Sequence, residues 1–401
     1  MSLKKASRSK NYSHKPEGPE KTMNIAAIVT EWRKNSHADV ILSRICDPAA
    51  WGHKQPFEMN LVSMYVEHFP ENDFARDKAK AHKIAMHKDI TSAIADGGRQ
   101  VAVDGVLVIG EHGPYARNNK LQQLYPRRRF LDEVAESFRK LGRVVPVFTD
   151  KHFSYEPLFA QWILQTYKHM NIPLMAGSSL PVSWRVPEQS WPIGAPIRRA
   201  FAQGYADLDA YGFHTLETLQ CQVERRKGGE TGVKSVRSLA TGEQAWKHPA
   251  FPADLWQALE KRYQSRPQHH RYPAGKGQDE LWEIRYTDGL VAHVGMFTSE
   301  GQVWGASMEG ENGEIQSTVF ELEDKQNFGH FGYLTKAIEH FIKTGKSPYP
   351  VERTYLTTGI LAAALQSRSE GGTEVPTAFL SSISYTPADW PFPRGPLGTP
   401  A

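Results

Sequence analysis

Cysteine is nearly absent from this chain: Cys46 and Cys221 are the two thiols in 401 residues. They lie far apart and make no Cys-x-x-Cys spacing, which excludes a disulfide framework and a thiolate zinc site. Long apolar runs are missing as well. None approaches the roughly 20 residues that a membrane-spanning helix needs, so no membrane partner is expected. Charge of one sign is scarce: the net charge is +4, part of it from Lys4, Lys5, Arg8, Lys10, Lys15 and Lys21, scattered among Ser, Pro and Gly. That makes no nucleic-acid footprint. The same stretch has neither an apolar h-region nor a twin-arginine pair, so 1–22 reads as a disordered basic tail and cytoplasmic residence is the default expectation.

What is present is ordinary globular material, 40% apolar and 23% charged, in a chain long enough for two hydrophobic cores. From Met23 onward, short β-branched runs alternate with longer amphipathic stretches, the pattern of stacked βαβ units with a parallel sheet. Strands are predicted over Asn24 to Val29, Leu61 to Val66, Val106 to Ile109, Val144 to Phe148 and Pro173 to Ala176. A helix capped by Asn35 or Ser36 follows the first of them. Beyond residue 200 the character changes. A helix carries Gly212, His214 and Glu217, and Ser265 to Gly277 reads as a polar surface loop. The runs Leu281 to Tyr286, Val291 to Phe297 and Gln302 to Met308, joined by turns at Asp288-Gly289 and Glu300-Gly301, predict antiparallel hairpins. Helical spacing returns over Phe331 to Lys343 and Val351 to Arg368. The reading is an α/β protein: a Rossmann-like parallel-sheet domain over 23–180, a C-terminal α+β domain with an open, mostly antiparallel sheet over 181–376 whose last helices pack back on the first domain, and a Pro-rich tail over 377–401.

In an open parallel sheet, ligands bind beyond the carboxyl ends of the strands. Those ends carry Glu31, Arg33 and His37 after the first strand, Glu67 after the second, Glu111 and His112 after the third long run, Asp150, Lys151 and His152 after the next, and Ser178 and Ser179 after the last. The two serines either bind substrate or cap a turn. Arg127, Arg128 and Arg129 open a helix and are expected to contact a neighbour, a subunit or a phosphate; Arg225 to Gly229 makes a second basic loop.

Four segments resemble the glucose-fructose oxidoreductase and inositol dehydrogenase family. Val103 to Ile109 is similar to the family's fourth-strand segment, with Glu111 and His112 in the loop on the substrate side. Gly142 to His152 is similar to the segment that carries the family's catalytic lysine, which falls on Lys151. Ile172 to Arg185 resembles the next strand and loop, and Thr344 to Val375 resembles the C-terminal signature. The helix Gly212 to Glu217 is similar to the family's Gly-x-His-x-x-Asp helix and puts His214 in the substrate site. The family's Asp four residues earlier falls here on Ala210, with Asp207 and Asp209 nearby. The likeness spans 23 to 376, and the strings at Asn35 to Asp39, Gly110 to Gly113 and Met175 to Val182 mark one branch of it.

The resemblance implies an enzyme acting on a sugar-like or polyhydroxylated small molecule. Lys151, His214 and Asp150 would handle protons, and His112, Glu111, His152, Ser178, Ser179 and Glu217 would line the substrate site. It also implies NAD or NADP as cofactor and a homo-oligomer through the C-terminal sheet. One feature departs from it. Thr30 to Asp39, the turn where backbone amides should approach the diphosphate, contains no glycine, and it brings Trp32 and the negative charge of Glu31. Arg33 and Lys34 could hold phosphates through side chains, and Glu67 stands where a ribose-binding acid would. A second reading makes His37, His112 and His152, with a carboxylate, a site for zinc, manganese or iron serving a lyase, isomerase or hydrolase. A third is a non-catalytic binding or scaffold subunit.

Overall fold

The computed structural model describes residues 22–396 apart from 189, 267–278, 301–302, 324–326, 392 and 394. The expected basic tail, except residue 22, and most of the polar loop from Ser265 therefore lie outside the described residues, as does the end of the Pro-rich tail. Six parallel strands build the first sheet: β1 (Met23–Val29), β2 (Met59–Val66), β3 (Ala85–His87), β4 (Gly105–Ile109), β5 (Val147–Asp150) and β6 (Leu174–Gly177), in the order β3-β2-β1-β4-β5-β6. β4 is buried along its whole length, as a continuous apolar run between covered faces must be. β5 starts later than the apolar run suggests, because Val144 stays exposed. The strand order reverses between β1 and β4, whose ends are level, Val29 pairing with Ile109. A crevice opens there.

The helices of this half are α1 (Arg44–Cys46), α2 (Ala75–His82), α3 (Ile90–Ile94), α4 (Arg127–Leu141) and α5 (Pro157–His169). The helix expected after β1 is an irregular one. A π-helical turn, Asp39–Ser43, runs into the short α1. Ser36 is the cap, its Oγ accepting the Asp39 amide at 3.2 Å.

The second sheet has eight strands: β7 (Arg185–Val186), β8 (Ile197–Gly204), β9 (Val233–Thr241), β10 (Glu280–Tyr286), β11 (Val291–Met296), β12 (Gly305–Gly310), β13 (Ile315–Phe320) and β14 (Val375–Pro376), ordered β14-β9-β10-β11-β8-β12-β13-β7. The Asp288-Gly289 turn makes the expected hairpin between β10 and β11. The second hairpin does not form: β8 inserts between β11 and β12, pairing parallel with the first and antiparallel with the second. The remaining helices are α6 (Ala210–Val223), α7 (Glu243–Lys247), α8 (Ala253–Gln264), α9 (Gly329–Thr344) and α10 (Glu352–Ser369).

Alternation along β8 shows how this sheet is covered. Ala200 and Ala202 face the core shared with α6 and α10, whereas Phe201 packs with Leu255 and Leu259 of α8 on the other side. α9 joins the core of the first sheet through Leu334, Ile338 and Phe341. Among the described residues no helix is long and apolar enough to cross a membrane.

α6 lies close on β8 because Gly204 has no side chain: a Cβ there would sit 1.8 Å from Thr215 Oγ1 and 2.9 Å from its Cβ. Gly204→Ala must push α6, and with it His214, off the sheet. Overpacking of this kind costs about 1–3 kcal/mol, so thermal denaturation is expected to show a lowered Tm; an unchanged Tm would mean that the helix is not seated as described.

Candidate active site

Five of the strand-end residues, His37, Glu111, His112, Lys151 and Ser179, line a cavity of about 400 Å³ with groups from α6, α9 and the loops beside the second sheet, whereas Glu31, Arg33, Glu67, Asp150, His152 and Ser178 are not among its lining. Four non-glycine residues at its edge have left-handed backbones, Asn35 at φ 62°, His112 at 72°, Lys151 at 66° and Phe328 at 54°. Each such residue costs on the order of 1–3 kcal/mol, and strain of this kind concentrates at functional sites.

Lys151 follows β5, and its amide is tied to Gly177 O at 3.1 Å. Its buried ammonium lies 3.3 Å from Glu111 Oε1 and 3.0 Å from His214 Nε2, with a longer 3.5 Å contact to Ala210 O that a substrate oxygen can replace. The other oxygen of Glu111 accepts from Arg127 Nη2. Burial alone would raise the Glu111 carboxyl, but Lys151 and Arg127 outweigh it and hold the acid well below the usual range.

The surroundings of His214 fix its tautomer. Lys151 can only donate, so Nε2 accepts and the proton sits on Nδ1, bonded to Ser178 Oγ at 2.5 Å. Burial, with the nearby Lys151 and His37, pushes the imidazole well below its ordinary value, so it is neutral. Ser178 is thus engaged with His214, while Ser179 lines the cavity.

Glu217, three residues along α6, does not reach the cavity lining. It accepts from Thr357 Oγ1 at 2.8 Å and from the Ser178 amide at 3.4 Å, and burial raises it to about 7. Its approach requires Gly177, where φ is +125° and a Cβ would lie 2.7 Å from Glu217 Oε2.

His37 Nδ1 lies 2.6 Å from Asp150 Oδ2, so the carboxylate orients the ring and turns Nε2 away from it. His112 Nδ1 lies 3.2 Å from Arg33 Nη2. Because a guanidinium only donates, the His112 proton is on Nε2, which is buried and has no partner among the described residues. Burial is the main cause that lowers the His112 pKa to about 4.

His152 turns away from the cavity. Its Nε2 lies 2.8 Å from Arg127 Nη1 and 3.7 Å from Asp209 Oδ1, and its ring packs on Phe213. This corrects both expectations for His152, because consecutive side chains leave the β5 end on opposite sides. The groups close enough to share an ion are instead His37, Glu111 and His112, with one donor atom each within 4.8 Å of the others. Their lone pairs are partly taken by Arg33, Lys151 and Arg127. Arg33 already faces Glu31, Arg127 and Lys151 both face Glu111, and Asp150 faces His37. A divalent ion does not fit this donor set unless a cation leaves. Arg127, expected to face a partner or a phosphate, is buried beneath the site. Arg225 and Arg226 are tied to Asp389 and Glu230, away from the cavity.

A dinucleotide diphosphate meets a turn after β1 in which four amides are already used: Trp32 N–H by Asp73 Oδ1 at 3.2 Å, Arg33 N–H by Ser36 Oγ at 3.3 Å, Asn35 N–H by Asp39 Oδ2 at 2.9 Å and Ser36 N–H by Arg33 O at 2.9 Å. Trp32 is fully buried beneath the turn. Glu31 pairs with Arg33 at 2.5 Å, and Glu67 accepts from Tyr65 at 2.6 Å and from Arg129 at 2.5 Å. The backbone cradle on which a diphosphate depends is closed, and Glu31, Arg33 and Glu67 are engaged with protein partners.

Sequence reasoning missed an aromatic wall. Trp304 stacks obliquely on Tyr205 (4.8 Å) and Tyr211 (5.4 Å) and meets His214 at 5.3 Å. Tyr205 follows β8, Trp304 precedes β12 and Tyr211 lies in the first turn of α6, where no motif marks them. His330 at the start of α9 was missed too; burial lowers it to about 3.

Acidification is expected to destabilise the protein. His112, His152, His214 and His330 are all depressed in the fold, so between about pH 4 and 6.5 the unfolded chain binds more protons and stability is lost as pH falls, by at most about 1.4 kcal/mol per unit for each histidine. Glu217, raised to about 7, and Asp209, raised to about 6 by burial, act in the opposite sense, as do Asp73, Asp132 and Glu339, which burial also raises; but His53 is depressed to about 4 as well, and the buried Glu111 is held well below its usual range. Calorimetry should show Tm falling from pH 7 to 4.5; a rise would contradict the neutral assignments. A chelator should leave Tm unchanged and elemental analysis should find no stoichiometric metal, whereas one zinc or manganese per chain would show that a cation withdraws.

No family model and no curated protein matches the sequence. Solved structures do match the fold. The chain is similar to the myo-inositol dehydrogenase of Lactobacillus casei solved with NAD(H) and myo-inositol, at 13% identity over 88% of this chain and 96% of that one, with a TM-score of 0.55. It is also similar to GenD2 of gentamicin A biosynthesis solved with NAD, at 12% identity over 91% and 99%, with a TM-score of 0.52. A myo-inositol dehydrogenase from Corynebacterium glutamicum matches at 10% identity over 89% and 99%, with a TM-score of 0.52. At such identities the likeness speaks for architecture alone, and this chain, a parallel Rossmann-like sheet beside a mixed, mostly antiparallel one, shares that architecture with these solved structures.

Proposed function

We propose that this chain is an enzyme that takes a polyhydroxylated small molecule, a sugar or cyclitol, into the strand-end cavity and transfers a proton with Lys151 as the group at the substrate oxygen. The observation that carries this reading is the Lys151 ammonium, held at the cavity by Glu111 on one side and His214 on the other. Such a cation is oriented before substrate arrives, which is what electrostatic stabilisation of a developing oxyanion needs. His214, neutral and bonded to Ser178, positions Lys151 and accepts from it. The Tyr205, Tyr211 and Trp304 wall supplies an apolar surface for the C–H face of a ring, and the polar residues opposite supply donors and acceptors for hydroxyls. That division suits a pocket specific for a small polyol. Fold neighbours that are dehydrogenases, one solved with myo-inositol, support the same class of ligand. Strained residues kept at the cavity edge favour an enzyme over a scaffold subunit.

A thermal-shift screen of hexoses, cyclitols and their singly oxidised derivatives is expected to find a ligand that raises Tm. Trp304→Ala should abolish that stabilisation. Lys151→Met should lower turnover of the ligand by about 10²-fold or more while leaving the fold intact by circular dichroism. Undiminished turnover in Lys151→Met would remove the lysine from the chemistry.

A further inference from the structure

We infer that the reaction is redox-neutral: the substrate already carries a carbonyl, and the His37–Asp150 pair removes a proton from the carbon beside it. This rests on the polyol-derived ligand proposed above and adds the substrate's oxidation level and the base.

The first ground is the closed turn. With the amides of Trp32, Arg33, Asn35 and Ser36 bonded inside the protein and Trp32 filling the space below, the usual route for holding a hydride acceptor is lost. Without a hydride acceptor a secondary alcohol cannot be oxidised here, and a C–H bond next to an alcohol is too weak an acid for any side chain. A carbonyl changes that, since the carbanion beside it delocalises onto oxygen.

The second ground is the arrangement of bases and donors. His37 turns its Nδ1 to Asp150 at 2.6 Å and lines the cavity, and its Nε2 has no hydrogen-bond partner among the described residues. A base oriented by a buried carboxylate in this way is a recurring device for proton abstraction. The ring is steadied by the edge of Phe331, 4.9 Å away. Facing it are donors: the Lys151 ammonium and the orphaned Nε2–H of His112. A buried N–H without an acceptor costs about 1–3 kcal/mol, and a substrate oxygen relieves that cost. The ring centres of His37 and His112 are 5.7 Å apart, those of His37 and His214 6.4 Å, so one C–C=O unit can touch base and donors together.

The step balances without a co-reactant. The C–H bond breaks, its proton goes to His37 Nε2, its electron pair becomes the new C=C bond, and the carbonyl π pair moves to oxygen as an enolate held by Lys151 and His112. Return of the proton to the same carbon completes the turnover; return to the former carbonyl carbon isomerises the substrate when the hydroxyl proton of the first carbon moves to the enolate oxygen, and neither outcome needs an external oxidant or reductant. The reaction that supplies the substrate is then the oxidation of one secondary alcohol of a polyol.

Two measurements on the full chain test this. In the first, NAD+, NADH, NADP+ and NADPH at millimolar concentration are expected to leave Tm and titration calorimetry unchanged; micromolar binding of any of them would overturn the inference. In the second, hexoses and cyclitols bearing one ketone are incubated with the protein in D2O without nucleotide. Proton NMR is expected to show loss of the C–H signal beside the ketone, slowed about 10²-fold or more in His37→Ala. Asp150→Asn should slow the exchange while leaving ligand-induced stabilisation in place, which separates lost positioning from lost folding. Ketones that stabilise the protein but do not exchange would overturn the proton-abstraction step and leave the ligand class standing. Exchange undiminished in His37→Ala would overturn the assignment of the base. If neither polyols nor ketones raise Tm, the ligand class itself falls.

Discussion

One buried cation organises this molecule's interior. The Lys151 ammonium leaves the end of β5 in a left-handed backbone conformation, meets Glu111 from the end of β4, and meets His214 and the Ala210 carbonyl from α6. It therefore ties the parallel sheet to the helix that rides on the second sheet. A buried charge persists only where opposite charge and hydrogen bonds replace the lost water, and its contacts come from the end of β4 and from α6. The same demand accounts for Arg127, whose guanidinium meets the other oxygen of Glu111 from below and holds His152 out of the cavity.

Around that cation the imidazoles are sorted by what they touch. His214 is an acceptor because Lys151 is beside it, His37 is a potential base because Asp150 holds its proton, and His112 is a donor because Arg33 covers its other nitrogen. Equal numbers of cations and carboxylates leave the set nearly neutral, which suits an uncharged, hydroxylated ligand better than a metal ion or a diphosphate. The architecture is shared with dehydrogenases, yet the turn after β1 has been turned inward on Ser36, Asp39 and Asp73. Fold and chemistry are separable here, since the sheet positions whatever side chains its loops carry.

Much of the site was legible in the sequence because parallel strands announce their ends. The fully apolar β4 and the run through β5 fixed where Glu111, His112, Asp150 and Lys151 emerge, and strand order placed His37 beside them. The helix of His214 was legible from its glycine and its periodicity. His152 was misplaced because strand periodicity does not give the direction of a side chain beyond the strand end. Glu217 was misplaced because its partner, Thr357, comes from α10, 140 residues away. The aromatic wall had no signal, since Tyr205, Tyr211 and Trp304 meet only when β8 inserts between β11 and β12.

The sequence by itself determined the two-sheet α/β architecture, the strand ends and the loss of a glycine cradle after β1, because burial periodicity and backbone steric demands are local and are written in residue type. Tertiary structure alone decided which nitrogen of each histidine carries a proton, which carboxylates are free and what covers the ligand. Those properties depend on partners brought from distant parts of the chain, and a hydrogen bond's direction exists only once both ends are in place.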